Sequence, residues 1–429
     1  MSYVRHLQCT TCGAVVEYGH AALTCPSCGS EGILDVVYDY EAIAHRIGGD
    51  TGRDMGRDYF AATGENSMWR YVPFLPVEPA WERPPLRVGW TPLYNAHRLA
   101  RVLGARFVFV KDEGVNPTAS LKDRASAIAA VRAKAAGRRI VACASTGNAA
   151  SSLAGCAASM GLRSCIFVPR RAPRGKLMQL LIYGATVVSV DGSYHDAFSL
   201  SAAAIERWGW YNRNAAINPY LVEGKKTVSF EVCEQLGWQV PDWVVVSVGD
   251  GCTIAGVYKG FHDFFRTGLI TRIPRILGVQ AAGCQPLVEA FRSGGNRFRP
   301  SPENTIADSI AVGVPRNPTK ALNAVRRSGG DMIAVPDEEI LRAMRLLGST
   351  TGVFSEPAGA ASLAGLTAAL ESGIIGRDET VVVIATGNGL KDIANAERAA
   401  PPPIEVGPSI EDLRRMLEAR AQDLLTQGE

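Results

Sequence analysis

The chain has 429 residues, 47% of them hydrophobic and 20% charged, with 44 glycines and 24 prolines. That balance excludes a disordered or collagen-like polymer and is long enough for a large α/β body with an appended module. The net charge is only +3 and no five like charges run together, which argues against a polyanion-binding function, so no nucleic-acid partner is expected.

The first element is a cysteine cluster. Cys9-x2-Cys12 and Cys25-x2-Cys28 are separated by twelve residues, and each pair is followed by glycine. Two-residue spacing lets both thiolates of a turn reach one ion, and four thiolates close a tetrahedral shell around Zn2+ with no open position, so the ion would be structural. Two disulfides, or a knuckle that no longer holds metal, are the alternatives. The other six cysteines are scattered and read as small buried residues in a reduced compartment. The N-terminus lacks the apolar core of a secretory signal, and the cytoplasm is the expected compartment.

Residues 1–40 are therefore read as a zinc ribbon and 41–88, punctuated by Gly and Pro, as a connecting arm with little regular structure. From Arg106 to Ile384 the apolar β-branched runs RFVFV, RRIVACA, SCIFVP, TVVSVD, DWVVVSVG, RILGVQ and TVVVIAT mostly alternate with helical patterns. Such strands belong to a parallel sheet buried on both faces, which is α/β architecture. The uncharged stretch 140–162 has the length of a membrane span. It carries Ser145, Thr146, Asn148, Ser151, Ser152 and Ser159, which hydrocarbon would leave unsatisfied, so no membrane is expected. After the proline run at 401–403, Ser409-x-x-Asp412 reads as a capping box. It opens a helix with Ile410, Leu413, Leu417 and Leu424 on one face, docked on the body.

Four segments carry possible chemistry. Lys122 precedes an alanine-rich helix, where the helix dipole and desolvation would depress its pKa and suit it to a Schiff base; a surface lysine is the plainer alternative. Ser145-Thr146-Gly147-Asn148 follows a strand and opens a helix, forming either an anion site or an ordinary capped turn. Gly249-Asp250-Gly251-Cys252-Thr253 repeats that pattern and could cradle a phosphate, provided Asp250 points away. Thr386 ends the last long strand, where a hydroxyl can bond a ring nitrogen.

Taken together, Asn116-Pro117-Thr118-x-Ser120-x-Lys122-Asp123-Arg124, Ser145-Thr146-Gly147-Asn148, Glu223-Gly224-Lys225-Lys226-Thr227 and Thr386-Gly387-x-Gly389-Leu390-Lys391-Asp392 resemble the threonine synthase family. The resemblance covers about 89–392. It implies a fold-type II pyridoxal 5'-phosphate enzyme with two open parallel-sheet α/β subdomains in 89–400, the smaller and mobile one spanning about 123–229, with 401–429 as linker and helix. It implies that Lys122 carries the cofactor as an internal aldimine. Asn148 would bond the ring 3-hydroxyl, Gly249 to Thr253 the cofactor phosphate, and Thr386 the ring nitrogen. Ser145, Thr146 and Gly147 would take the substrate carboxylate. The implied enzyme is a lyase acting on a small amino acid, converting O-phosphohomoserine and water to threonine and phosphate; a homodimer is the expected assembly.

The chain departs from the family pattern where part of the run Asn-Ser-x-Asn-Pro-x-Arg grips the substrate phosphate: the matching positions include Ala215, Ala216 and Leu221. The threonine often found after the Ser-Thr-Gly-Asn motif is Ala149. Arg213, Lys225, Lys226 and Arg174 are candidate replacements for the lost cation. β-Elimination or β-replacement on O-phosphoserine or a related amino acid, as in cysteate synthases, is the alternative reaction.

Overall fold

The computed structural model describes residues 2–19, 23–48, 53–170, 174–295 and 297–421. Near the N-terminus, β1 (Val4–Cys9), β2 (Val15–Val16) and β3 (Leu34–Tyr38) form an antiparallel sheet in the order β2-β1-β3. The chain then builds β4 (Leu93–Asn95), β5 (Phe107–Asp112), β6 (Ile140–Ala144), β7 (Arg163–Pro169), β8 (Thr186–Val190) and β9 (Tyr211–Asn212). It continues through β10 (Trp243–Ser247), β11 (Arg275–Ala281), β12 (Asp331–Val335) and β13 (Thr380–Ala385). All seven apolar runs noted in the sequence are strands; β4, β9 and β12 lie at sheet edges and are short or lack a continuous β-branched run.

Two further sheets result. The larger has the order β12-β11-β10-β13-β5-β4, parallel except for β4, and the smaller has the all-parallel order β8-β7-β6-β9. In the larger sheet Val244, Val246, Val382 and Ile384 join one core cluster, whereas Val245, Val381, Val383 and Ala385 join another on the opposite face. This period of two, with apolar residues on both sides, is why these strands read as unbroken hydrophobic runs.

The segment 41–88 holds far more structure than the sequence suggests. The helices Tyr40–Gly48 and Arg53–Ala62 and a 3₁₀ stretch Met68–Phe74 occur within it, and Phe60, Met68, Tyr71 and Phe74 are fully buried. Phe60, Tyr71, Phe74, Phe230 and Phe264 form one aromatic cluster, so the arm is part of the core.

The C-terminal helix Ile410–Arg420 has the expected cap, Asp412 N donating to Ser409 Oγ at 3.1 Å. Its expected docking is not observed: no side chain of this helix is buried, and Ile410 is 75% exposed. A cap and a period can be read locally, whereas docking depends on where the proline-rich 401–403 segment sends the chain. Leu424 and the Arg174 side chain lie outside the described residues.

Candidate active site

The loops after β5, β10 and β13 meet in a cleft at the carboxyl edge of the large sheet, where ligands of open α/β sheets collect. Lys122, the loop from Ser247 to Ile254, Glu356 and Thr386 line it. Lys122 is the first residue of the helix Lys122–Ala135.

Two sets of contacts fix that lysine. Above it, Leu121 N donates to Thr386 O at 2.9 Å and Asn388 N donates to Ala119 O at 3.1 Å, tying the first motif to the last. Ala119 adopts a left-handed φ of 66°, a strained backbone for a residue with a Cβ. Asp123 accepts from Thr118 N at 2.8 Å and Thr118 Oγ1 at 2.6 Å, closing the turn.

Beneath it, Arg124 Nε and Nη2 each reach Glu113 at 2.7 Å, and Arg124 Nη2 and Lys111 Nζ reach Glu231 at 2.8 and 2.7 Å. Two cations and two carboxylates, all fully buried, thus anchor the helix start. Gly224 lets the helix Tyr220–Lys225 cross here, because a Cβ on it would overlap Arg124 O.

Burial pushes the Lys122 amine below the ordinary lysine value; Glu356 opposes the shift and Arg213 reinforces it. Two other lysines of the motifs are engaged elsewhere. Lys226 pairs with Asp263 and Glu223 at 2.6 Å each, and Lys391 Nζ donates to Ser151 Oγ and Gln179 Oε1 at 3.0 Å each. Lys391 thereby links the large-sheet edge to helices of the small-sheet region.

The glycine loop after β10 runs into the helix Cys252–Arg266. Gly251 has φ 85°, and a Cβ there would stand 2.7 Å from Asn317 O. Asp250 accepts from Arg316 N at 3.3 Å through Oδ1, so its charge is drawn toward that neighbouring segment. Gly249, Gly251 and the first N–H groups of the helix are left to face the cleft with Cys252 and Thr253.

Asn148 starts the helix Asn148–Ser159, and its Nδ2 donates to Glu356 Oε1 at 2.6 Å. Glu356 was not singled out in the sequence. The available signal is Glu-Pro at a helix start, Pro357 being the first residue of the helix Pro357–Glu371. Gly387 makes room for it, since a Cβ there would overlap Glu356 Oε1. Ser145, Thr146 and Gly147 are not among the residues that line the cleft, although a Cβ at Gly147 would stand 3.9 Å from the Oγ of Ser309, which does line it. Gly147 N is bonded to Ser145 Oγ at 3.2 Å.

The three positions that depart from the family pattern do not act together. Ala215 lines the cleft. Ala216 packs with Ile33, Val222 and Cys252, and Leu221 packs with Ala125 and Ala129.

The sulfurs of Cys9, Cys12, Cys25 and Cys28 lie within 4.8 Å of one another, with Cys12 and Cys25 at 3.7 Å. Tetrahedral thiolates at ~2.3 Å from zinc stand ~3.8 Å apart, so the set fits that ion. No disulfide joins any of the ten cysteines in the structure. The ribbon is docked: Tyr38 Oη donates to Glu223 Oε2 at 2.8 Å, and Lys259 Nζ bonds Val36 O at 2.6 Å.

A parallel-sheet cleft holding a buried lysine at a helix start, opposite a glycine loop and a strand-end threonine, defines the protein as a fold-type II pyridoxal phosphate enzyme. The family described as pyridoxal-phosphate dependent enzyme matches residues 85–387. Threonine synthase of Methanocaldococcus jannaschii is 42% identical over 96% of this chain and 99% of its own length. That of Methanosarcina acetivorans is 40% identical over 97% and 100%. The chain belongs to the threonine synthase family of pyridoxal phosphate-dependent lyases. In fold it resembles the processed threonine deaminase isoform 2 of Solanum lycopersicum, with TM-score 0.61 at 23% identity over 72% of this chain and 87% of that one. Among the described residues, no helix is long and apolar enough to cross a membrane.

Proposed function

We propose that this enzyme converts O-phosphohomoserine and water to threonine and phosphate. The observation that carries the reading is that Lys122, the Gly249–Thr253 loop and Thr386 line one cleft, in a chain similar throughout to threonine synthases. Lys122 would hold the cofactor covalently, Gly249 to Thr253 its phosphate, and Asn148 and Thr386 its ring. Bound pyridoxal phosphate supplies an electron sink for charge at the substrate Cα.

Lys122 is also the group placed to move protons. Burial favours its neutral amine, and a neutral amine can accept the Cα proton. Ser145, Thr146 and Gly147, the last of them near Ser309, would orient the substrate carboxylate, and closing of the small-sheet region, about 123–229, on the large sheet would exclude water. Zn2+ at Cys9, Cys12, Cys25 and Cys28 would be structural. We place the enzyme in the cytoplasm, as a homodimer, which sedimentation tests.

The bare wall at Ala215 favours a second reading, β-elimination or β-replacement on O-phosphoserine. Steady-state assays with both substrates decide. Threonine and equimolar phosphate from O-phosphohomoserine support the first; pyruvate, or thiol- or sulfite-dependent product, from O-phosphoserine alone overturns it.

A further inference from the structure

One buried lysine lines this cleft in addition to Lys122, and a buried arginine stands close enough to act on both charges. Lys225 is 3% exposed and lines the cleft beside the glycine loop. No hydrogen-bond acceptor among the described residues reaches its Nζ. Its stem fills the space left by Gly256 on the helix Cys252–Arg266, where a Cβ would sit 3.0 Å from Lys225 Cβ. Arg213, 2% exposed, follows β9; its Nε donates to Ser126 Oγ at 3.1 Å, and its Nη2 is buried without a partner.

The charges do not balance. Lys226, Lys111 and Arg124 each meet a carboxylate at short range, whereas Lys225 and Arg213 meet none among the described residues. Of the nearby acids, Glu356 is bonded to Asn148 and Asp250 to Arg316 N. Burial, with Lys122 and Arg213 adding to it, pushes the Lys225 amine down to about 8. Unpaired cations at such depth are expensive unless an anion arrives to meet them. The N-terminus of the 15-residue helix Cys252–Arg266 opens at the same place and favours the same sign of ligand.

We propose that Lys225, backed by Arg213, is an anion seat that binds a phosphate monoester in the cleft. The seat supplies the charge that Leu221, packed into the alanine face of the Lys122–Ala135 helix, does not. It rests on the reading of the cleft as the cofactor and substrate site. The monoester has two sources there, the cofactor and a phosphorylated amino acid, and the same set of measurements separates them.

Lys225→Met, Lys225→Arg and Arg213→Gln are titrated with pyridoxal phosphate, pyridoxal and inorganic phosphate as apoproteins, and with O-phosphohomoserine and homoserine as holoenzymes, by calorimetry and visible absorbance. Loss of one charge-assisted contact predicts affinity about 10- to 100-fold weaker for a phosphorylated ligand, with its unphosphorylated counterpart unchanged. Lys225→Arg should retain most of the affinity. Weakened pyridoxal phosphate assigns the seat to the cofactor; weakened O-phosphohomoserine with normal cofactor affinity assigns it to the substrate. Less than twofold change for every phosphorylated ligand in folded Lys225→Met and Arg213→Gln overturns the proposal.

Should a variant not fold, wild-type apoprotein is treated with an amine-modifying reagent with and without inorganic phosphate. Protection of Lys225 supports the seat, and equal labelling overturns it. Failure to make threonine with phosphate binding intact would refute the assigned reaction and leave the seat standing.

Discussion

Replacing Glu231 by glutamine tests whether the ion network beneath Lys122 anchors its helix. Glu231 is fully buried and accepts from Lys111 Nζ at 2.7 Å and Arg124 Nη2 at 2.8 Å. Glutamine keeps the shape and removes the charge, leaving two buried cations to share Glu113. Breaking a buried pair in this way costs about 3–5 kcal/mol. A second route gives a similar figure. Burial alone would raise the Glu231 carboxyl, but Arg124 and Lys111 outweigh it and hold it at about 2. Against an unfolded glutamate near 4.3, that gap is worth about 3 kcal/mol. Because the folded pKa is the lower one, this stability is complete above about pH 4.3 and is lost as pH falls toward 2. Urea midpoints measured from pH 7 down to the acid limb, for wild type and Glu231→Gln, read both effects. Glu82→Gln is the control: the Glu82–Lys134 pair, at 2.6 Å, is 62% and 36% exposed and worth at most about 1 kcal/mol. A loss in Glu231→Gln no larger than in the control, or an unchanged slope of stability against pH in the acid limb, would refute the reasoning.

Lys122→Ala should reduce turnover to background while leaving the melting profile of the apoprotein unchanged, and borohydride reduction of wild type followed by peptide mapping should find the cofactor on Lys122. Zinc analysis should give one ion per chain, lost in the Cys25→Ser, Cys28→Ser double variant, with a larger fall in thermal stability than in turnover of the remaining folded enzyme, because a closed shell offers no substrate position. Ala119→Gly should remove left-handed strain of about 1–2 kcal/mol, offset by about 0.4–1 kcal/mol of unfolded-chain entropy. The expected urea midpoint is therefore equal to wild type or slightly higher, and a loss above about 1 kcal/mol would show that the Ala119 methyl makes a contact of its own.

The large sheet was legible because β10 and β13 bury both faces and leave no polar alternation to confuse the reading. Lys122 and the glycine loops were legible because their chemistry is local to a strand-helix turn. Glu356 was not, since its importance comes from Asn148, more than two hundred residues away in sequence. Leu221 misled for a related reason. Its position in a motif suggested the cleft, but the close crossing at Gly224 turns it toward Ala125 and Ala129. The segment 41–88 reads as loose because its aromatic residues are irregularly spaced, and they find partners such as Phe230 and Phe264 only in the folded chain.

The strand order also governs how this enzyme can be made. β13, the last strand, inserts between β5 and β10, both of which leave the ribosome long before it. The small sheet can close from 140–212 alone, but the large sheet must wait with two unpaired central edges until nearly the whole chain has emerged. Lys122 follows β5 and Thr386 follows β13, so the cleft comes into being only at that final pairing. Pyridoxal phosphate therefore cannot nucleate the large sheet; it can only bind, and so trap, a chain that has already completed it.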